Sequence, residues 1–173
     1  MSKVEYDGDK PEVHESVFQA PGSWIIGKVK VMEKANIWNG VIIRGDDDRV
    51  IIGARTTILE NAIIEAPSGS PVIIGEDSII SHGAIVHGAK IGKNVLIGIG
   101  AIVLDKAEIG DGAIIGSGAL VPPKTIINPD QLAIGIPAKP IREVSKEDKE
   151  MLSKERERTL SKAEKYKKIY AKI

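Results

Sequence analysis

The chain has 173 residues, enough for one domain with a sizeable core and too few for two ordinary ones. Its 24 basic and 24 acidic side chains cancel, so no net field draws it to nucleic acid or to an anionic membrane. Cysteine is absent, which excludes disulfides, thiolate ligands and a cysteine nucleophile and leaves any metal to His, Asp or Glu. No apolar run approaches the roughly 18 residues that span a bilayer. The amino end, MSKVEYDGDKP, is polar rather than signal-like, so a cytoplasmic location is expected.

Residues 1–20 show no sustained periodicity and contain Pro11; they read as an entry segment that caps the first coil of the repeat, with His14 a loop histidine. Over residues 22–50 a repeat is present but degraded, and the piece IWNGVIIRGDDDRV reads as a strand running into an Arg-Gly-Asp turn that carries Arg44 and Asp46. From Ile52 the rhythm is clean: Ile52, Ile58 and Ile64, with Thr56 and Ala62 as small residues four places on. Residues 65–71, EAPSGSP, interrupt it as a loop. Beyond the loop, Ile73, Ile79, Ile85, Ile91, Ile97, Val103, Ile109, Ile115 and Val121 fall at one phase of six. A second phase, Ile74, Ile80 and Val86, lies one residue later, so a one-residue slip must be absorbed between Val86 and Ile91.

Residues six apart on a helix diverge by about 120°, and strand alternation alone has a period of two. A short strand and a turn, repeated, fits the pattern, with one aliphatic residue per repeat pointing inward and small residues where the backbone bends. Three such sides make a coil of about eighteen residues, and stacked coils hydrogen-bond at about 4.8 Å as parallel strands do. The expected fold is mainly β, a parallel β-helix with an aliphatic ladder as its core, occupying residues 1–144. The ladder runs on through Ile126, and DQLAIGIPAKPIREV closes the prism.

From Ser145 the composition shifts to Lys, Glu and Arg. Ser145 with Asp148 fits a capping box, and Met151, Leu152, Leu160, Ala163, Ile169 and Tyr170 form an apolar stripe. Residues 145–173 are therefore expected to form a helix packed along the prism or on a neighbouring subunit, its charges a solvated face.

Glu65 and His87 are 22 residues apart, one coil plus the loop, so they should stack on adjacent coils of one face. His82 follows Ile80 by two and lies on the neighbouring side of the same coil. Within one chain His82 and His87 point around a corner away from each other, whereas across a contact between two prisms they can converge. Two histidines and a carboxylate suit zinc, or ferrous iron.

The segment VIIGEDSIISHGAIVHGAKIGKNVLIGIGAIVL, Val72 to Leu104, resembles the γ-class carbonic anhydrase family of the hexapeptide-repeat superfamily. That resemblance, rather than the period, implies a left-handed coil, because parallel crossovers are otherwise right-handed. Within it, SHGAIVHGAKIG is similar to the family segment bearing two of its three zinc-binding histidines, which assigns His82 and His87, and IWNGVIIRGDDDRV is close to its amino-terminal signature, which assigns Arg44 and Asp46. The resemblance implies a homotrimer with its metal between subunits, held by Glu65 and His87 of one chain and His82 of the next. It also implies carbon dioxide and bicarbonate as substrate and product, with Glu60 or Glu65 as proton acceptor.

The chain departs from the family where TTILENAIIEA stands for a stretch more like TNIQDGAVVHV: Glu65 takes the place of the third histidine, Leu59 that of a glutamine that orients the reacting water, and Glu60 that of an aspartate. A carboxylate ligand weakens the metal as a Lewis acid, so hydration is expected to suffer. GIPAK, residues 135–139, is shared with hexapeptide acyltransferases, which keeps open a coenzyme A-dependent acetyl transfer with a histidine base. A trimeric scaffold that has lost its chemistry is the third reading.

Overall fold

The structure, a computed structural model, describes residues 2–172. About seven coils of a left-handed parallel β-helix are followed by one helix, Lys146–Tyr170. Short strands joined by tight corners build three faces. The site face, which carries most of the candidate residues, stacks Ile63–Glu65, Ile85–His87, Ile102–Val103 and Leu120–Val121 in parallel register. A second, open face stacks Val72–Ile74, Lys90–Ile91, Glu108–Ile109 and Ile126–Ile127. The third, the helix face, stacks Asn36–Ile37, Thr57–Ile58, Ile79–Ile80, Leu96–Ile97 and Ile114–Ile115. Early in the chain, Trp24–Val31 and Ile42–Ile52 each run unbroken from the site face around the corner to the open face. The Arg-Gly-Asp piece is therefore part of a bent strand, not the turn expected of it. The described part of the entry segment, residues 2–20, likewise does more than cap: Ser2–Val4 pairs with Trp24–Val31 and Phe18–Gln19 with Asn36–Ile37, so it is itself a coil.

Inside the prism, one aliphatic column per face is fully enclosed; on the helix face it is Ile37, Ile58, Ile80, Ile97 and Ile115. The period of six is correct but its opening phase is not. Ile74, Ile80 and Val86 point inward, whereas Ile73 and Ile85 face out and Ile79 packs beneath the helix. At the far end Ile127 is enclosed and Ile126 is 66% exposed, so the ladder passes through Ile127. Adjacent aliphatic pairs such as Ile73-Ile74 make both phases equally apolar, and only the closing of the prism selects one. The slip falls where expected: Val86 and Ile91 are both enclosed though five apart, which tightens the corner holding Gly88 and Ala89.

Ser145 caps the helix, its side chain accepting from the Asp148 N–H while the Asp148 carboxylate accepts from the Ser145 N–H. The helix lies on its own prism through Leu152, Thr159 and Ala163, with Tyr166 and Tyr170 completing an aromatic cluster with Phe18 and Trp38. The spacing of those five helix residues, successively seven, four, three and four, is the true stripe; Met151 and Ile169 face away, because positions 151 and 169 sit off the line of the contact. Polar ties pin it: the Arg156 guanidinium donates to the Asp77 carbonyl and the Asn94 side chain, and the Thr159 and Thr57 hydroxyls are 3.2 Å apart. Among the described residues no helix is long and apolar enough to cross a membrane.

Candidate functional site

Parallel register brings Arg44, Glu65 and His87 into one outward column on the site face, each the direct partner of the next on successive coils. Glu65 and His87 thus meet as the 22-residue spacing predicts, the loop at 67–70 leaving the register intact. The Arg44 guanidinium donates to Asp46 Oδ2 through Nε at 3.2 Å and Nη2 at 2.9 Å, and its Nη1 lies 3.4 Å from Glu65 Oε1. The Asp46 hydrogen bond, and more weakly the Glu65 charge, raise the Arg44 pKa above its ordinary value against a desolvation cost. Burial works against the Asp46 carboxylate, yet the Arg44 hydrogen bond and the Asp46 and Asp47 peptide N–H groups outweigh it and hold its pKa below the ordinary aspartate value. Asp46 Oδ1 is buried and makes no hydrogen bond among the described residues.

His87 extends the column. Its Nδ1 is 3.1 Å from Asp105 Oδ2, leaving Nε2 as the nitrogen open to a ligand. Asp105, eighteen residues after His87, is not among the residues the sequence singles out; a count of one coil forward from each histidine is the signal that finds it.

His82 and Glu60 lie elsewhere, at the corner between the helix face and the site face, where the Gly83 N–H donates to the Glu60 carbonyl. His82 Nε2 is 3.1 Å from Glu60 Oε2, but Glu60 Oε2 makes no aligned hydrogen bond and is itself buried. The distance gives a contact and the angles do not, so the pair is a carboxylate beside an imidazole rather than a formed hydrogen bond. Leu59, standing where the family resemblance expects an amide side chain, is buried among Phe18, Trp38, Ile79 and Ala163. It serves the helix seat and offers the site no polar atom.

Of the six residues marked by sequence, Arg44, Asp46, Glu65 and His87 are therefore gathered on one face, and Glu60 and His82 form a second group at a corner. Among the described residues, no group of three or more His, Asp or Glu side chains in one chain is placed to hold a metal ion. Outward beside the first group runs an apolar column, Trp24, Ile42, Ile63, Ile85, Ile102 and Leu120, each in register with the next. Unlike the inward positions between them, these side chains are not enclosed by their own prism.

The family described as bacterial transferase hexapeptide (six repeats) matches residues 88–123. A carbonic anhydrase of Geobacillus kaustophilus is 40% identical over 162 residues, 94% of this chain and 89% of that one. Gamma carbonic anhydrase 2 of Arabidopsis thaliana, a mitochondrial protein, is 29% identical over 144 residues, 80% of this chain and 52% of its own length. Among solved structures, a putative acetyltransferase of Bacillus cereus superposes with a TM-score of 0.96 at 38% identity, covering 97% of this chain and 98% of that one.

Proposed function

Given that this chain belongs to the γ-class carbonic anhydrase-like family of hexapeptide-repeat proteins, we propose that it is a homotrimeric metal-binding protein of that kind, with its site between protomers. The observation that carries the reading is the register partnership of Glu65 and His87 on an outward face bordered by an apolar column. Glu65 and His87 of one protomer and His82 of the next are the donors. Two imidazoles and a carboxylate fit zinc or ferrous iron, and the register of His87 with Glu65, with Asp105 on His87 Nδ1 and Nε2 left open, supports that donor set. The chemistry a metal supplies in such a site is acidification of water for addition to carbon dioxide.

The protein's own groups then divide the work. Arg44, fixed by Asp46, turns a permanent positive charge toward Glu65 and toward an anionic product such as bicarbonate. Glu60, whose carboxylate lies 3.1 Å from His82 at the corner, accepts the proton, with Glu65 the competing acceptor. The apolar column excludes water around the site once a second prism covers it. Glu65 supplies a negative charge where a third imidazole would be neutral, so hydration is slow in the chain as it stands.

Metal analysis with a stopped-flow hydration assay tests this, using Glu65→His as the informative variant. The wild type is expected to carry one metal per protomer with weak turnover, and E65H to gain at least about tenfold in rate. Metal bound by both with no turnover in either would leave a metal protein and remove the hydratase. An acetyl transfer reading draws on the match over residues 88–123 and on the acetyltransferase-named structural neighbour. It gains the preference if acetyl-coenzyme A raises the melting temperature and zinc does not.

A further inference from the structure

We propose that Asp105 is a positioning residue for His87: it fixes the imidazole as the Nδ1–H tautomer and so presents Nε2 to a metal. The inference rests on the proposed metal site and adds to it a residue one coil away. His87 Nδ1 and Asp105 Oδ2 are 3.1 Å apart in hydrogen-bonding geometry, whereas the other histidine–carboxylate contact, His82 with Glu60, is not aligned. A carboxylate accepts only, so His87 must donate through Nδ1, and the neutral ring then carries its lone pair on Nε2.

The backbone is built to hold that contact. The Lys106 N–H donates to the Gly88 carbonyl at 2.6 Å, and the Lys124 N–H donates to the Asp105 carbonyl at 2.8 Å, so the Asp105 turn is clamped between coils. Gly88, next to His87, has φ +60°, and a Cβ there would stand 2.9 Å from Ser70 Cβ and 3.0 Å from Asp105 Oδ1. Gly88 is thus the gap through which Asp105 reaches the ring, and the five-residue step from Val86 to Ile91 draws this corner in.

Carboxylates behind metal-binding imidazoles raise ligand basicity, and their loss typically costs about 10–100-fold in metal affinity. The test compares wild type, Asp105→Ala, Asp105→Asn and His87→Ala as full-length protein, by zinc titration and by nitrogen-15 NMR of the histidine rings at alkaline pH, where imidazoles are neutral. With three histidines in the chain, the signals are assigned by single substitutions. The expected result has four parts: His87 in the Nδ1–H form in the metal-free wild type, loss of that form in D105A, roughly 10–100-fold weaker zinc binding there, and partial rescue of both by D105N, whose amide oxygen still accepts. An unchanged melting temperature separates this from a folding defect. A wild type that binds zinc while D105A keeps both the tautomer and the affinity overturns the role of Asp105 alone. A wild type that takes up no zinc overturns the proposed function and this inference together.

Discussion

If the metal lies between protomers, two defective chains should repair each other. His82 and His87 are five residues apart, a reach of at most roughly 18 Å at about 3.6 Å per residue. The chain turns at Gly83 and then runs along the site face through Ile85–His87, so His82 stands at the corner and His87 on the face of one prism. In a three-fold ring each site takes His87 from one chain and His82 from its neighbour. H82A alone or H87A alone spoils every site. In trimers reassembled from an equal mixture, a site is whole when an H82A chain supplies His87 and an H87A chain supplies His82. Each condition holds for half of the chains, so about one quarter of sites are restored. The assay is metal content per protomer after joint refolding and repurification, with hydration rate alongside. Recovery rising from near zero toward one quarter supports the shared site. A mixture that equals the average of its parents refutes it, and a site inside one chain would give that result.

Other outcomes rest on the same geometry. Ile85→Asp sets a charge at the middle of the outward apolar column, three times in the proposed trimer, and should yield monomers by light scattering, with strand content intact and without the proposed metal. Ile80→Ala empties the centre of an enclosed column and should cost about 2–5 kcal/mol, read as a lower denaturant midpoint. Ser145→Ala removes the helix cap at about 1 kcal/mol, seen as a shift in Trp38 fluorescence at lower denaturant. Arg142 holds the Asp148 pKa well below the ordinary aspartate range, with the Ser145 N–H assisting. Because the folded value lies below the unfolded one, this contribution is complete above about pH 5 and is lost progressively as pH falls from the unfolded aspartate value toward the depressed folded one. Asp148→Asn should therefore flatten the stability profile between about pH 5 and pH 3; parallel profiles for the two proteins would reject the assignment.

How much can be read in the chain depends on what each feature requires. The coil is legible because its core demands the same residue type every six places, and a helix cannot satisfy that period. The choice between Ile73 and Ile74, or between Ile126 and Ile127, is not, since both members of each pair are aliphatic and only enclosure distinguishes them. Glu65 and His87 are legible as partners because the length of the loop can be counted. Asp105 is hidden in the linear sequence because an aspartate at a corner is ordinary turn chemistry until the coil length sets it behind a histidine. Leu59 reads as a missing polar group in the linear sequence and as a seat for the helix once Phe18, Trp38 and Ala163 close over it.

Leu59 also bears on the proposed chemistry. Position 59 lies on the helix face beside the Glu60–His82 corner, so a side chain there either reaches toward the corner or fills the space under Ala163 and Trp38. Burying an amide in that apolar cluster without partners costs about 1–3 kcal/mol, whereas leucine gains by burial. Leu59→Gln should accordingly lower stability, measured by denaturant midpoint, by about 1–3 kcal/mol. Combined with E65H it should also raise hydration above E65H alone, because the amide could then turn out to the corner and hydrogen-bond the reacting water. A double variant no faster than E65H, at unchanged metal content, would show that position 59 acts only on the helix seat and has no part in the chemistry.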